Sequence, residues 1–241
     1  MEDRHWWYDV LRGMTMRVLT GLSARGRLDV LDAGCGTGGM MEVMKTGRPG
    51  WLLHGIEKEP AAIVYCRERG LINVCCGSVC SLPFADGTFD AVLSLDVLYH
   101  VDVNPELALN EMARVLKPGG LAVINLPAFN VLRGSHDVAV CGIRRYTACQ
   151  VRDLLQRHRL CVQMIHYWNA WLFMPLLLRR QWSRRLGAGA CPESDLSMPL
   201  DPLNTALALA GRLDAWLCRV LHVPFGTSVF AVASSPGTSR R

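Results

Sequence analysis

In "LDVLDAGCGTGG", residues 28–39, the carboxylate of Asp32 stands just ahead of Gly34, Gly36 and Gly38, and a second carboxylate, Glu57, closes the apolar run "LLHGIE". Glycines between a strand and a helix let a backbone approach a ligand closely, and an acid ending the next strand can accept from a ribose diol. The combination suits an adenosine-type ligand. Further along lie groups that could move a proton or orient an acceptor: His100 in "LDVLYHV", the neighbours His136 and Asp137, and Tyr146 after Arg144 and Arg145. Each could act as a base or hydrogen-bonding group toward a substrate. Each could equally hold its own loop in place.

Asp32 separates two adenosine ligands. A dinucleotide lays its pyrophosphate on this turn, where a neighbouring carboxylate repels it, and no Lys or Arg lies within residues 29–44 to offset the cost. S-adenosylmethionine has no phosphate and carries an ammonium and a sulfonium, which a carboxylate attracts. The other reading of Asp32 is a side chain that only bonds the amides of its own turn.

The elements that must position these residues follow from periodicity. Short apolar runs predict strands at Leu28–Ala33, Trp51–Glu57, Asn73–Cys76, Phe89–Leu95 and Leu121–Leu126, with helices at Trp6–Leu22, Gly38–Lys45, Pro60–Arg69 and Pro105–Leu116, the last closed by "KPGG". Apolar runs alternating with helices predict an α/β, doubly wound sheet with ligands at the carboxyl ends of its strands. After Leu126, "PAFNVLRGSHDVAVCGIRRY" reads as a long loop of the kind that covers a site. A helix capped by Thr147 follows, then a strand at Cys161–Tyr167 and a helix at Ala170–Arg185 kinked by Pro175. A polar connection at 187–202, a helix opened by Asn204 and a last strand in "FGTSVFAVASS" complete the chain.

"VLDAGCGTGG", "GIEKEP", "GSVCSLPFADGTFDAVLSLDVLYHV" and "EMARVLKPGGLAVINLP", in that order, resemble the motifs of class I S-adenosylmethionine-dependent methyltransferases, in particular the small-molecule, type 11-like branch. The resemblance implies a Rossmann-like, doubly wound sheet of seven strands, the last antiparallel and formed by "SVFAVA", with an N-terminal helix and helices inserted before that strand. It implies one domain over 1–241: a helical lid at 1–27, a donor-binding core at 28–126, an acceptor-side loop and helices at 127–225, and the last strand and tail at 226–241. By position, Asp32, Gly34, Gly36 and Gly38 would line the methionine moiety, Glu57 would hold the ribose and Lys58 would lie beside the adenine. Ser78 stands where the family often has an acid for the adenine amino group, so that contact would shift to the Val79 backbone. Leu95 and Asp96 would pass the sulfonium, while Tyr8 and Arg12 would close over the donor, Arg12 facing its carboxylate. The "HWWYDVLRG" opening, which is similar to the family's aromatic first helix, could also simply pack on the sheet.

Composition frames the remaining expectations. The chain has 241 residues, half of them hydrophobic, and ten cysteines without a CxxC, which points to reduced thiols in a cytoplasmic protein and to no metal site. The charged, aromatic N-terminus is unlike a secretory signal. No Asn/Asp-Pro-Pro-aromatic stretch follows the fourth strand, which argues against a nucleobase acceptor and a nucleic-acid partner. Residues 133–185 hold ten arginines and two aspartates, +8 in a chain of net +5, and "YWNAWLFMPLLLRRQWSRR" sets aromatic residues beside that charge. The bland reading is a core-packing helix with solvated arginines. The sharper one is a small-molecule or lipid-linked, anionic acceptor met at a membrane surface through residues 168–185. Two other functions fit the same elements: a noncatalytic protein that binds the donor, and an NAD-dependent oxidoreductase.

Overall fold

The structure, a computed structural model, describes residues 3–22, 26–185 and 199–237. Strands β1 (Asp29–Ala33), β2 (Leu52–Glu57), β3 (Val74–Cys76), β4 (Phe89–Leu95), β5 (Leu116–Pro127), β6 (Cys161–Trp168) and β7 (Ser228–Ser234) form one sheet. Their order is β3-β2-β1-β4-β5-β7-β6. β1 to β5 run parallel to one another, and β7 runs antiparallel to both β5 and β6. The seven-stranded sheet with an antiparallel last strand is therefore as expected, and its strand order reverses at β1/β4, where open α/β sheets place ligands.

Alternation along each strand feeds two cores. Leu31, Val92, Ile124 and Ala231 face α4 (Pro105–Val115) and α6 (Ala148–Arg157). Val30, Leu93, Val123 and Phe230 face α1 (Trp6–Leu22), α2 (Gly39–Gly47), α3 (Pro60–Glu68) and α8 (Asp201–Leu221). Strands buried on both faces explain the near-continuous apolar runs of the sequence.

Helix starts follow local chemistry. Asn104 accepts from the Glu106 and Leu107 amides ahead of Pro105, and Thr147 forms a reciprocal capping box with Gln150. Four expectations need correction. The long loop contains a 3-10 turn at Asn130–Leu132 and a short helix, α5 (Ser135–Ala139). β5 begins at Leu116 because that residue pairs with Phe89 across an irregularity, so "KPGG" lies within the strand. Pro175 sits in the first turn of α7 (Phe173–Arg185), where its missing N–H breaks no helical bond, and a 3-10 turn at Ala170–Leu172 precedes it. Asn204 does not open α8, which starts at Asp201 with Pro202 in its first turn. The connection at 187–202 lies mostly outside the described residues.

Asn204 instead serves α1. Its Oδ1 accepts from Trp6 N (2.9 Å) and its Nδ2 donates to Arg4 O (2.6 Å), so a residue of α8 caps the first helix. Asn204→Ala should lower stability by about 1–2 kcal/mol, the usual cost of losing a cap and its hydrogen bonds. A urea midpoint identical to that of the parent protein would contradict this role.

Candidate functional site

The turn after β1 is built on three left-handed glycines, with φ of 91° at Gly34, 53° at Gly36 and 83° at Gly38. Space reinforces φ at two of them: a Cβ on Gly34 would lie 2.4 Å from Val97 Cγ2, and one on Gly38 would lie 2.5 Å from Leu71 Cδ1. Above Gly36 the space is open. The amides of Gly34 and Cys35 both donate to Ile56 O, at 2.9 and 3.1 Å, tying the turn to β2. Asp32, one pleat earlier, is buried at 3% exposure.

Glu57 closes the turn from the other side. Its Oε2 accepts from Gly36 N at 2.8 Å, and its Oε1 accepts from Lys58 N at 2.8 Å and Glu59 N at 3.0 Å. Lys58 reaches across to pair with Asp102. Ser78 is exposed and its Oγ accepts from Cys80 N, while Val79 beside it is buried. Asp32, the three glycines, Glu57 and Lys58 thus line the carboxyl edge of β1 and β2. On α1, the Arg12 guanidinium lies 5.7 Å from the Tyr8 ring centroid and 4.0 Å from Asp3 Oδ1.

At the carboxyl end of β4, Leu95 is half-buried and Asp96 adopts φ 58°. The Asp96 amide donates to Asn125 O (2.9 Å), and its Oδ2 accepts from Asn125 Nδ2 (2.8 Å). Asn125 Oδ1 in turn accepts from the Trp168 indole (2.9 Å), whose ring stacks on Trp7 of α1 with centroids 5.4 Å apart. Burial raises the Asp96 carboxyl to about 7, against the opposing pull of the Asn125 hydrogen bond and the Arg145 charge. The sequence gives one hint of this line: Asn125 is the lone polar side chain in "LAVINL". Trp168 and Arg145 carry no comparable signal.

The remaining candidates differ in what they are free to do. His100 is half-buried, stacks on Tyr99 with centroids 4.5 Å apart, and is pushed below its ordinary pKa by burial, so its imidazole is neutral at pH 7. Asp137 is clamped by Arg145, whose Nε donates to Oδ1 (2.7 Å) and Nη2 to Oδ2 (3.1 Å), while Gly134 N also donates to Oδ2 (2.8 Å). This holds Asp137 below the carboxylate range despite its burial. It organises the loop and is a poor base. His136 lies beside it in α5, half-buried. The Tyr146 hydroxyl donates to Leu98 O at 3.1 Å and pins the same loop to the segment after β4. The structure therefore gathers Asp96, His100 and Tyr146 near one strand end and gives Asp137 a structural partner. A groove of about 540 Å³ lined by Asp102, Asn104, Arg144, Tyr146 and Arg157 borders this region, and no glycine of the turn lines it.

Residues 31–124 match the family model for the methyltransferase domain. Among curated relatives, 24-methylenesterol C-methyltransferase 2 of Oryza sativa subsp. japonica is 33% identical over 142 residues, which are 54% of this chain and 38% of that protein. Malonyl-[acyl-carrier protein] O-methyltransferase of Herminiimonas arsenicoxydans is 36% identical over 117 residues, 47% of this chain and 44% of that protein. The chain spans half or less of the length of the first curated relatives it matches. A Galdieria sulphuraria protein, solved as a candidate sarcosine dimethylglycine methyltransferase, superposes with a TM-score of 0.61 over 94% of this chain and 85% of its own, at 16% identity. That likeness is one of fold.

The perturbed Asp96 carboxyl has a measurable consequence. Between about 3.8, where an unfolded aspartate titrates, and about 7, the folded chain binds the extra proton, so stability falls as pH rises through that window. Asp96→Asn, a side chain that tolerates left-handed φ, should match the parent's urea midpoint near pH 4 and exceed it at pH 8. Equal midpoints at both pH values would show that the carboxyl is not perturbed.

Proposed function

We propose that this chain, whose residues 31–124 match the methyltransferase-domain model, binds S-adenosylmethionine at the carboxyl edge of the sheet and passes its methyl group to a small-molecule or lipid-like acceptor. The observation that carries this reading is the Glu57 carboxylate. Of about four acceptor positions on a carboxylate, backbone amides occupy three, leaving one on Oε2 for a ribose hydroxyl beside the open space over Gly36. Buried Asp32 faces the donor's cationic end, and no basic residue of the turn answers a pyrophosphate. Lys58 and the Val79 backbone flank the adenine, Leu95 and Asp96 pass the sulfonium, and Tyr8 and Arg12 close over the methionine moiety.

The transfer itself is an in-line displacement. The acceptor atom attacks the methyl carbon as the carbon–sulfur bond breaks, and the electron pair leaves on sulfur as S-adenosylhomocysteine. The chain must align the acceptor and exclude water. A hydroxyl acceptor also gives up a proton, and Asp96, with a pKa of about 7 at the end of β4, is matched to receive it; neutral His100 stands near as a second base. That pairing favours O-methylation. His136 and Tyr146 contribute acceptor contacts from the loop, which Asp137 holds in shape.

The lipid-like alternative rests on the exposed residues Trp171, Met174, Leu178 and Trp182 in and beside α7. Among the arginines, Arg180 is turned inward, its Nε donating to Leu132 O at 3.3 Å. On this alternative, contact with a membrane would fall chiefly to the exposed apolar residues of α7. No helix of the described residues is long and apolar enough to cross a membrane.

Glu57→Ala should weaken S-adenosylmethionine binding at least tenfold by calorimetry, because hydrogen bonds to a charged group contribute ~1.5–3 kcal/mol. An unchanged affinity would sink the donor assignment. Flotation with liposomes containing anionic lipid should recover the protein at low salt, and Leu178→Glu with Trp182→Glu should prevent it. Failure of the parent protein to float would leave a soluble acceptor.

A further inference from the structure

On the side of β6 and β7 covered by α1 and α8, a cleft of about 120 Å³ lies apart from the glycine turn, and none of the donor-site residues lines it. Its walls are Met14, Met164, Phe230 and Trp216, with Arg17 and Arg219 among the lining residues and no acid. Both arginines are exposed, so their charge sits at the mouth. Inside stands His166, 6% exposed, with neither Nδ1 nor Nε2 hydrogen-bonded. A neutral imidazole has one donor and one acceptor, and each left unmet in a buried site costs about 1–3 kcal/mol. Burial, together with Arg219 and His222, pushes this ring down to about 4, so at pH 7 it is uncharged and the cleft's positive charge belongs to the arginines.

We propose that this cleft is a second binding site, taking a small amphipathic anion whose carboxylate accepts from His166 and lies between Arg17 and Arg219 while its apolar body packs on Met14, Met164 and Phe230. Size limits the body. An engineered apolar cavity of roughly 150 Å³ takes benzene, so this cleft accommodates about four to six carbons. Methionine walls adapt to such a chain. Inorganic phosphate would leave the apolar walls uncovered, and an alcohol would leave both guanidinium groups without a counter-charge. α1 carries Met14 and Val18 over this cleft and Trp7 over Trp168, two residues further along the same face of β6, yet the site depends on no donor contact.

The test is NMR of the intact protein with ¹⁵N-labelled histidine, with His166→Gln assigning the ring, while sodium hexanoate, 1-hexanol and inorganic phosphate are added separately. Hexanoate should shift the His166 nitrogens toward the protonated form with a dissociation constant on the order of 1 mM. Arg17→Glu with Arg219→Glu, both exposed positions, should abolish the shift. The proposal is overturned by the absence of any hexanoate shift, by an equal response to 1-hexanol, by an equal response to phosphate, or by a shift that survives the double reversal. Calorimetry with S-adenosylmethionine on the same variants reads the donor site separately, so the two assignments fail independently.

Discussion

One carboxylate joins the two crossovers on which the candidate site depends. Glu57 accepts an amide from the glycine turn after β1 and two from its own turn after β2. A charged acceptor shared by three backbone donors is strong because each bond is charge-assisted and ordering one side chain satisfies all three. It fixes Gly36 in left-handed φ over open space and leaves the remaining lone pair at the sheet edge. Gly34 and Gly38 are needed because Val97 and Leu71 leave no room for a Cβ there, so the turn's shape is set by packing at those two positions and by Glu57 at Gly36.

The second constraint is a buried polar line across the sheet edge. Asn125 is fully buried and spends both ends of its amide, donating to Asp96 and accepting from Trp168. Such a network is stable only when complete, since each unmet partner would cost about as much as the bonds gain. Its last member stacks on Trp7, so the N-terminal helix is registered against the strand end that carries Asp96. Asn204 fixes the same helix from α8, so α1 is anchored both to this strand end and to a helix about 200 residues later in sequence.

What was legible in the sequence follows the range of the interactions. β1, β2 and β4 and helices α1, α3 and α4 could be read because their periodicity, Pro60, Pro105 and the glycine turn act within a few residues. Thr147 could be read as a cap because its partner, Gln150, is three residues away. Asn204 was misread because its partners, Trp6 and Arg4, lie about 200 residues earlier. Pro175 was misread because whether a proline kinks or opens a helix depends on where the first turn falls, which the preceding 3-10 turn decides. Among the candidate site residues, the glycine turn and the Glu57 carboxylate that closes it were legible because their signals are local in sequence. The partners within the long loop were not: nothing in "GSHDVAVCGIRRY" shows that Arg145 will take both oxygens of Asp137.

That clamp also explains why an unpatterned segment can form a defined wall. The loop between β5 and α6 has little apolar periodicity to fold it, so Arg145 ties Asp137 to the carbonyl of Ala128, at 3.1 Å, and Tyr146 ties the loop's far end to Leu98. Both tethers end on backbone carbonyls of the sheet edge, where geometry is fixed by β4 and β5. A buried bidentate ion pair contributes little net stability once desolvation is counted, but it selects one conformation out of the many open to a loop of this composition. The loop is thereby held against the strand end that bears Asp96, and its conformation is set by two backbone anchor points on the sheet edge, not by apolar patterning of its own.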